Sequence, residues 1–241
     1  MVTTRPGSIV HVVQLWRLAL NLKPAELDRL APLLAPEERE RTARFRFPRD
    51  RGRFVAGRAQ LRRVLGELTG TQPGELGLVT GAHGKPELPG SGLFFNLAHA
   101  EGCALLAVTT AGRVGVDIER LRPVPDRDLV AQQFFAPAEV AALRRTTPAQ
   151  RDATFLRCWT RKEAYVKAVG DGLSLPLQNF AVSIDPTEAP RIVWSRQPGE
   201  RLRWLVLDLS DSCPGHVAAA VVEHPSGVTP EGPASTDKEC R

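Results

Sequence analysis

The chain has 241 residues, 42% hydrophobic and 24% charged, with a formal net charge of +5 and a pI near 9.4. This ordinary globular composition suffices for one large domain or two small ones with a real core, and no run approaches a membrane span or has the order of a signal peptide. Cys103, Cys158, Cys213 and Cys240 show no paired spacing, which argues against a disulfide framework or a zinc site and suits a reduced cytoplasm, while the basic balance favours acidic partners without saying which.

Residues Ile9 to Leu20 mix β-branched and apolar side chains and read as an opening strand. A helix is expected from Pro24 to Leu34. A second starts at Ala35-Pro36-Glu37-Glu38-Arg39-Glu40-Arg41, where a proline just inside the start and acids in the first turn agree with the helix dipole. From Asp50 to Leu68 apolar residues recur at helical spacing with Arg51, Arg53, Arg58, Arg62 and Arg63 between them, and Gly70 stops the run. Those arginines read as a solvated face, since no aromatic residues interleave them as a single-stranded nucleic-acid groove requires.

Gly81 to Gly92 is a glycine and proline loop carrying Gly84-Lys85-Pro86. The strand Leu93-Phe94-Phe95-Asn96-Leu97 runs into Ala98-His99-Ala100, Glu101-Gly102 turns, Ala104 to Thr109 forms a second strand, and Ala111-Gly112 turns into a third. In that third strand, Gly115-Val116-Asp117-Ile118-Glu119, apolar and acidic residues alternate. Asp117 and Glu119 therefore project from one face while Val116 and Ile118 enter the core.

Leu121 to Asp128 reads as a segment crossing between halves, and Gln132 to Leu143 as a short helix around Phe134 and Phe135. Thr147-Pro148 starts a long helix to Val169, stopped by Gly170 and Gly172. On it Trp159, Glu163 and Lys167 fall on one line at i, i+4, i+8. Strands are expected near Phe180 to Ile184, Leu202 to Leu209 and His216 to Val222, and Pro225 to Arg241 as a disordered tail. The domain reading is residues 1–114, then 115–224, then the tail 225–241: two similar α+β units, with the acidic pair where they meet.

Two carboxylates on a strand and a third on a helix make a hard, oxygen-only cation site suited to Mg²⁺ or Mn²⁺, and Lys167 one turn on adds positive charge. Phosphoryl chemistry asks for that set. Each half alone has an ordinary reading as a solvated strand face or a surface helix pair contributing a few tenths of a kcal/mol. Lysine is scarce, only Lys23, Lys85, Lys162, Lys167 and Lys238, so two of the five within one helix suggest that a compact ammonium is wanted there.

In order, Gly84-Lys85-Pro86, Phe95-Asn96-Leu97-Ala98-His99, Gly115-Val116-Asp117-Ile118-Glu119 and Trp159-x-x-Lys162-Glu163-Ala164-x-x-Lys167 closely resemble the 4'-phosphopantetheinyl transferases of the larger, Sfp-type branch. Phe134-Phe135 and Gly172-Leu173-Ser174-Leu175-Pro176-Leu177 extend the likeness over about residues 35 to 185. The Trp-x-x-Lys-Glu-Ala form resembles the subgroup serving polyketide, peptide-synthetase or fatty-acid carriers.

The resemblance implies an α+β fold of two subdomains related by a pseudo-twofold axis in a monomeric chain, with coenzyme A in the cleft between them. It also implies transfer of the phosphopantetheine arm to a serine of an acidic apo acyl or peptidyl carrier protein, releasing adenosine 3',5'-bisphosphate. Asp117, Glu119 and Glu163 would hold Mg²⁺, and Glu163, directly or through a metal-bound water, would take the serine proton. Lys167 would steady the pyrophosphate. Arg41, Lys85, Asn96, Ala98 and His99 would bind coenzyme A, with Arg53 and Arg58 as weaker candidates. Ala98 stands where the family commonly has a serine, so its backbone N–H is the group left to bind. A non-catalytic coenzyme A or carrier-binding module would need a broken metal set, which this chain does not have. A nuclease would place a lysine two residues after a strand acid, where Glu119 is followed by Arg120-Leu121. Neither nucleic acid nor membrane is an expected partner.

Overall fold

The computed structural model describes residues 13–81, 84–170 and 175–224. Val13 and β1 (Gln14–Ala19) are all that is described of the expected opening strand, and the start of that strand, Gly172 to Ser174 and the tail lie outside the described residues. Helices α1 (Pro24–Leu30), α2 (Pro36–Ala43) and α3 (Pro48–Thr69) follow, then the short arm β2 (Val79–Thr80) and β3 (Pro86–Glu87), and the strands β4 (Phe94–Ala100), β5 (Cys103–Thr109) and β6 (Val114–Arg120). The second half holds α4 (Arg127–Phe134), α5 (Pro137–Arg145), α6 (Arg151–Val169), β7 (Phe180–Val182), β8 (Ile192–Ser195), α7 (Glu200–Arg203), β9 (Trp204–Asp208) and β10 (His216–Glu223).

Local chemistry sets several of these boundaries. Three helices start on the same pattern, a proline at the first position and a glutamate two residues later. Glu26, Glu38 and Glu139 reach back to accept the backbone N–H of Lys23, Ala35 and Ala136 at 2.8, 3.1 and 2.8 Å, which satisfies an otherwise orphaned donor at each start. Gly70 and Gly170 end α3 and α6 in the left-handed region, at φ 68° and 88°, where a residue with a Cβ is disfavoured. The single helix expected over Gln132 to Leu143 is instead two. Ala136, forced extended by the proline after it (ψ 150°), separates α4 from α5.

Two antiparallel three-stranded sheets, ordered β1-β5-β4 and β6-β10-β9, form the centre. Side-chain alternation assigns their faces. Leu18, Phe95, Ala104, Leu106 and Val108 pack outward beneath Ala56, Leu61, Val64 and Leu65 of α3. On the other sheet Val206, Val217, Ala219 and Val221 pack outward beneath Phe155, Ala164, Tyr165 and Ala168 of α6. The inner faces meet each other: Ala98, Ala100, Cys103, Leu105 and Ala107 from one sheet pack against Val114, Val116, Ile118, Ala218, Ala220 and Val222 from the other. The result is helix, sheet, sheet, helix, with β5 buried along its whole length.

The sheets are joined where β4 lies beside β6. Asn96 is buried there, and its side-chain oxygen accepts the Val116 backbone N–H at 2.8 Å. Among the described residues no helix is long and apolar enough to cross a membrane.

Candidate active site

Asp117 and Glu119 sit on the face of β6 that looks toward α6, and Gly115 explains how the helix comes so close. A Cβ at Gly115 would lie 2.1 Å from the Ala164 carbonyl oxygen and 2.3 Å from the Ala168 nitrogen, so only glycine lets α6 rest directly on the strand. Seated there, α6 brings Lys167 onto Asp117, with Nζ to Oδ1 at 2.6 Å. The carboxylate is buried and the ammonium about a third exposed.

The second oxygen of Asp117 is buried and, among the described residues, has no hydrogen-bond partner. Loss of water pushes the Asp117 carboxyl above its ordinary range, against the pull of Lys167. Glu119 is raised by burial and then by the negative charge of Asp117, with Arg122 and Lys167 opposing and Glu163 adding to the rise. Glu163 is raised by burial, with Lys167 opposing and Asp117 adding. The three carboxylates therefore feel one another's charge across the strand and the helix. Among the described residues, however, no three His, Cys, Asp or Glu side chains are gathered closely enough to enclose a metal ion. The Lys167 ammonium neutralises Asp117.

Beside this acidic group lies a basic one. His99, at the end of β4, is lowered in pKa by the protein crowded around it, then by the charges of Lys167 and Arg58. The ring lies against α3 at Gly57, where a Cβ would stand at an ordinary contact distance of 3.5 Å from His99 Nε2. Arg58 pairs with Glu38 at 3.1 Å and also senses Arg41, which is exposed with its guanidinium 5.0 Å from the Phe54 ring centre. The expected residues Arg41, His99, Lys167, Asp117, Glu119 and Glu163 thus lie along one band from α2 across β4 and β6 to α6. Arg58 and Arg122 join it, and neither was a leading expectation. Arg53 instead donates to the Asn21 side-chain oxygen at 2.9 Å.

Several expectations need correction. Asn96 uses its side-chain oxygen to join the sheets, where it holds strands rather than a ligand. The Ala98 side chain is buried between the sheets, so the contact expected of this residue falls to its backbone N–H alone. Lys85 turns away from the basic band and donates to the carbonyls of Val114 at 2.8 Å and Lys167 at 3.0 Å. Lys162, whose retention suggested a functional ammonium, is fully buried. It pairs with Glu139 at 2.8 Å, donates to the carbonyls of Leu177 at 2.8 Å and Phe180 at 2.7 Å, and lies 4.2 Å from the Phe180 ring centre. Arg62 is no wet-face residue either. It is buried on Glu38 at 2.6 Å and on the Pro73 and Leu76 carbonyls. Trp159 packs with Phe134, Phe135 and Phe155, which holds α4 against the middle of α6.

A cavity of about 790 Å³ lies between α5, the start of α6 and residues 181–193, away from the band. A second, of about 630 Å³, lies between residues 85–95 and the end of α6, with Lys85 and Arg113 in its wall.

Family models give the chain a consistent place. Residues 113–222 match the 4'-phosphopantetheinyl transferase superfamily, and residues 21–111 match the 4'-phosphopantetheinyl transferase N-terminal family. The chain is 40% identical over 212 residues to the 4'-phosphopantetheinyl transferase HetI of Nostoc sp. (strain PCC 7120), covering 86% of this chain and 87% of that one. It is 30% identical over 133 residues to a 4'-phosphopantetheinyl transferase of Bacillus subtilis, covering 55% of this chain and 58% of that one. It is 38% identical over 118 residues to the 4'-phosphopantetheinyl transferase AcpT of Salmonella typhimurium, covering 48% and 58%. The chain belongs to the 4'-phosphopantetheinyl transferase family and is an enzyme of that type.

Proposed function

We propose that the protein, as a monomer of the Sfp-type subgroup in the cytoplasm, transfers the 4'-phosphopantetheine arm of coenzyme A to a serine of an apo acyl or peptidyl carrier protein in a Mg²⁺-dependent reaction. The observation that carries the reading is Asp117: one oxygen is held by Lys167, the other is buried without a partner among the described residues, and two more carboxylates stand within electrostatic reach. An oxygen-only set of this kind fits a hard divalent cation, which draws like charges together and would satisfy the orphaned oxygen. When bound, the cation neutralises pyrophosphate charge.

The chain's own residues do the rest. The serine oxygen attacks the phosphorus that bears the pantetheine arm, the bond to the neighbouring phosphate breaks, and adenosine 3',5'-bisphosphate leaves. Glu163, its carboxyl raised toward neutrality by burial, is suited to receive the serine proton, directly or through a water. Lys167 supplies a fixed positive charge where negative charge develops. His99, Arg58 and Arg41 bind the nucleotide phosphates. Leu121, Leu129 and Phe134 are exposed, and with Arg122 they offer an acidic carrier apolar and basic contacts.

Incubation with coenzyme A, Mg²⁺ and apo acyl or peptidyl carriers tests this by mass spectrometry. The expected result is a carrier heavier by one phosphopantetheine arm, abolished by a chelator. No addition to any of several carriers overturns it.

A further inference from the structure

The last turn of a helix leaves carbonyls without partners inside the helix, and these are met by a cap, by water or by a donor from elsewhere. In α6 the Gly170 N–H closes on the Val166 carbonyl at 3.0 Å. Arg113 takes the Val169 carbonyl at 3.0 Å, and Lys85 takes the Lys167 carbonyl at 3.0 Å. Lys85 belongs to the β2–β3 arm, yet both acceptors of its ammonium lie on other elements: the carbonyl of Lys167 on α6 and that of Val114, the first residue of β6. One side chain therefore pins the end of the helix to the start of the strand. The site is partly buried, so losing the ammonium would leave the two carbonyls short of donors. Its positive charge also lies where the helix dipole is negative.

Lys167 carries its ammonium to Asp117 across this joint, and its own carbonyl carbon is 2.8 Å from where a Cβ on Gly115 would stand. Movement of the last turn therefore moves the charge. We propose that Lys85 is a positioning residue for Lys167, acting through the backbone of α6 and β6 and not by binding the nucleotide. Burial supports the assignment: it lowers Lys85 to a pKa of about 8, as expected for an ammonium facing carbonyls in place of water.

The inference rests on the transfer reaction proposed above, and its test separates the two. Lys85→Met keeps the apolar stem and removes the donor. The expected result is turnover lowered about tenfold to a hundredfold, the scale of a misplaced group near the chemistry, with coenzyme A affinity by calorimetry within about twofold of wild type. In a Lys167→Ala background the same substitution should change turnover by less than about twofold, because the group it positions is gone. Hydrogen exchange at the amides of Ala168 to Gly170 should quicken about tenfold in Lys85→Met, an effect independent of turnover. Coenzyme A affinity falling tenfold with turnover kept, an undiminished loss in the Lys167→Ala background, or unchanged exchange would each overturn the assignment. If Lys85→Met fails to fold, Lys85→Gln, which retains an N–H donor for one carbonyl, carries the same three measurements. A wild-type protein inert toward carriers would sink the transfer reading alone and leave the exchange result to decide this one.

Discussion

Adding one methyl group at Gly115 would test whether contact between β6 and α6 makes the site. The new Cβ of Gly115→Ala would sit 2.1 Å from the Ala164 carbonyl oxygen and 2.3 Å from the Ala168 nitrogen, both backbone atoms that cannot rotate aside. Ordinary contact needs roughly 3.5 Å between nonbonded heavy atoms, so α6 must lift by more than about 1 Å. Overpacking of a rigid contact costs about 1–3 kcal/mol, and for a chain of this size each kcal/mol lowers Tm by about 2–4 °C. A melting temperature about 2–12 °C lower is therefore expected. The functional loss should be disproportionate, because Lys167 and Glu163 ride on the displaced helix while Asp117 and Glu119 stay on the strand. Misplacement by about 1 Å corresponds to about a hundredfold in turnover. Transfer to an apo carrier by mass spectrometry, alongside thermal melting, reads both. A variant that keeps activity within threefold, or one that loses activity only by unfolding, would refute the argument.

Glu163→Gln should leave melting nearly unchanged and lower turnover by about a hundredfold or more, the scale of a lost general base; a few-fold change would assign the proton to another group. Lys162→Met strands the buried Glu139 carboxylate and should cost about 3–5 kcal/mol in chemical denaturation, whereas Lys162→Met with Glu139→Gln should cost clearly less. Glu223 is held down to about 2 from its ordinary 4.5 by Arg113, with Arg203 helping, so its contribution is complete above 4.5 and is lost as pH falls toward 2. Arg113→Gln should flatten that acid limb, and a melt profile unchanged between pH 5 and pH 2 would contradict it. Adding Mg²⁺ should raise Tm at pH 7, with Asp117→Asn removing most of the rise; an equal rise in both proteins would place the cation elsewhere.

The sequence made some of this plain and hid the rest for physical reasons. Alternation along Val116, Asp117, Ile118 and Glu119 announced a strand with two faces, and the glycines at 70 and 170 announced where the long helices stop, because both signals are local. The α+β class followed from the same elements. Asp117 reads like a solvated strand acid until its neighbours are known; it is buried because α6, some 50 residues on, lies over it. Arg62 and Lys162 look like surface charges on amphipathic helices, and only their distant partners Glu38 and Glu139 show that they are interior. β8 went unseen because it pairs with the three-residue β7 across an irregular register. The break before α5 was legible in Pro137 and was missed because the apolar spacing runs through it. Gly115 could be found only by asking what a helix must touch, since glycine in a strand otherwise signals weakness.

The layer between the two sheets is made of small and branched apolar side chains contributed by both. Severing the chain in the turn before Val114 would leave each fragment with one face of a sandwich filling bared to water. Neither piece should dissolve alone, though mixed during refolding they should reassemble, so the two family segments are halves of one folding unit and not modules to be exchanged separately.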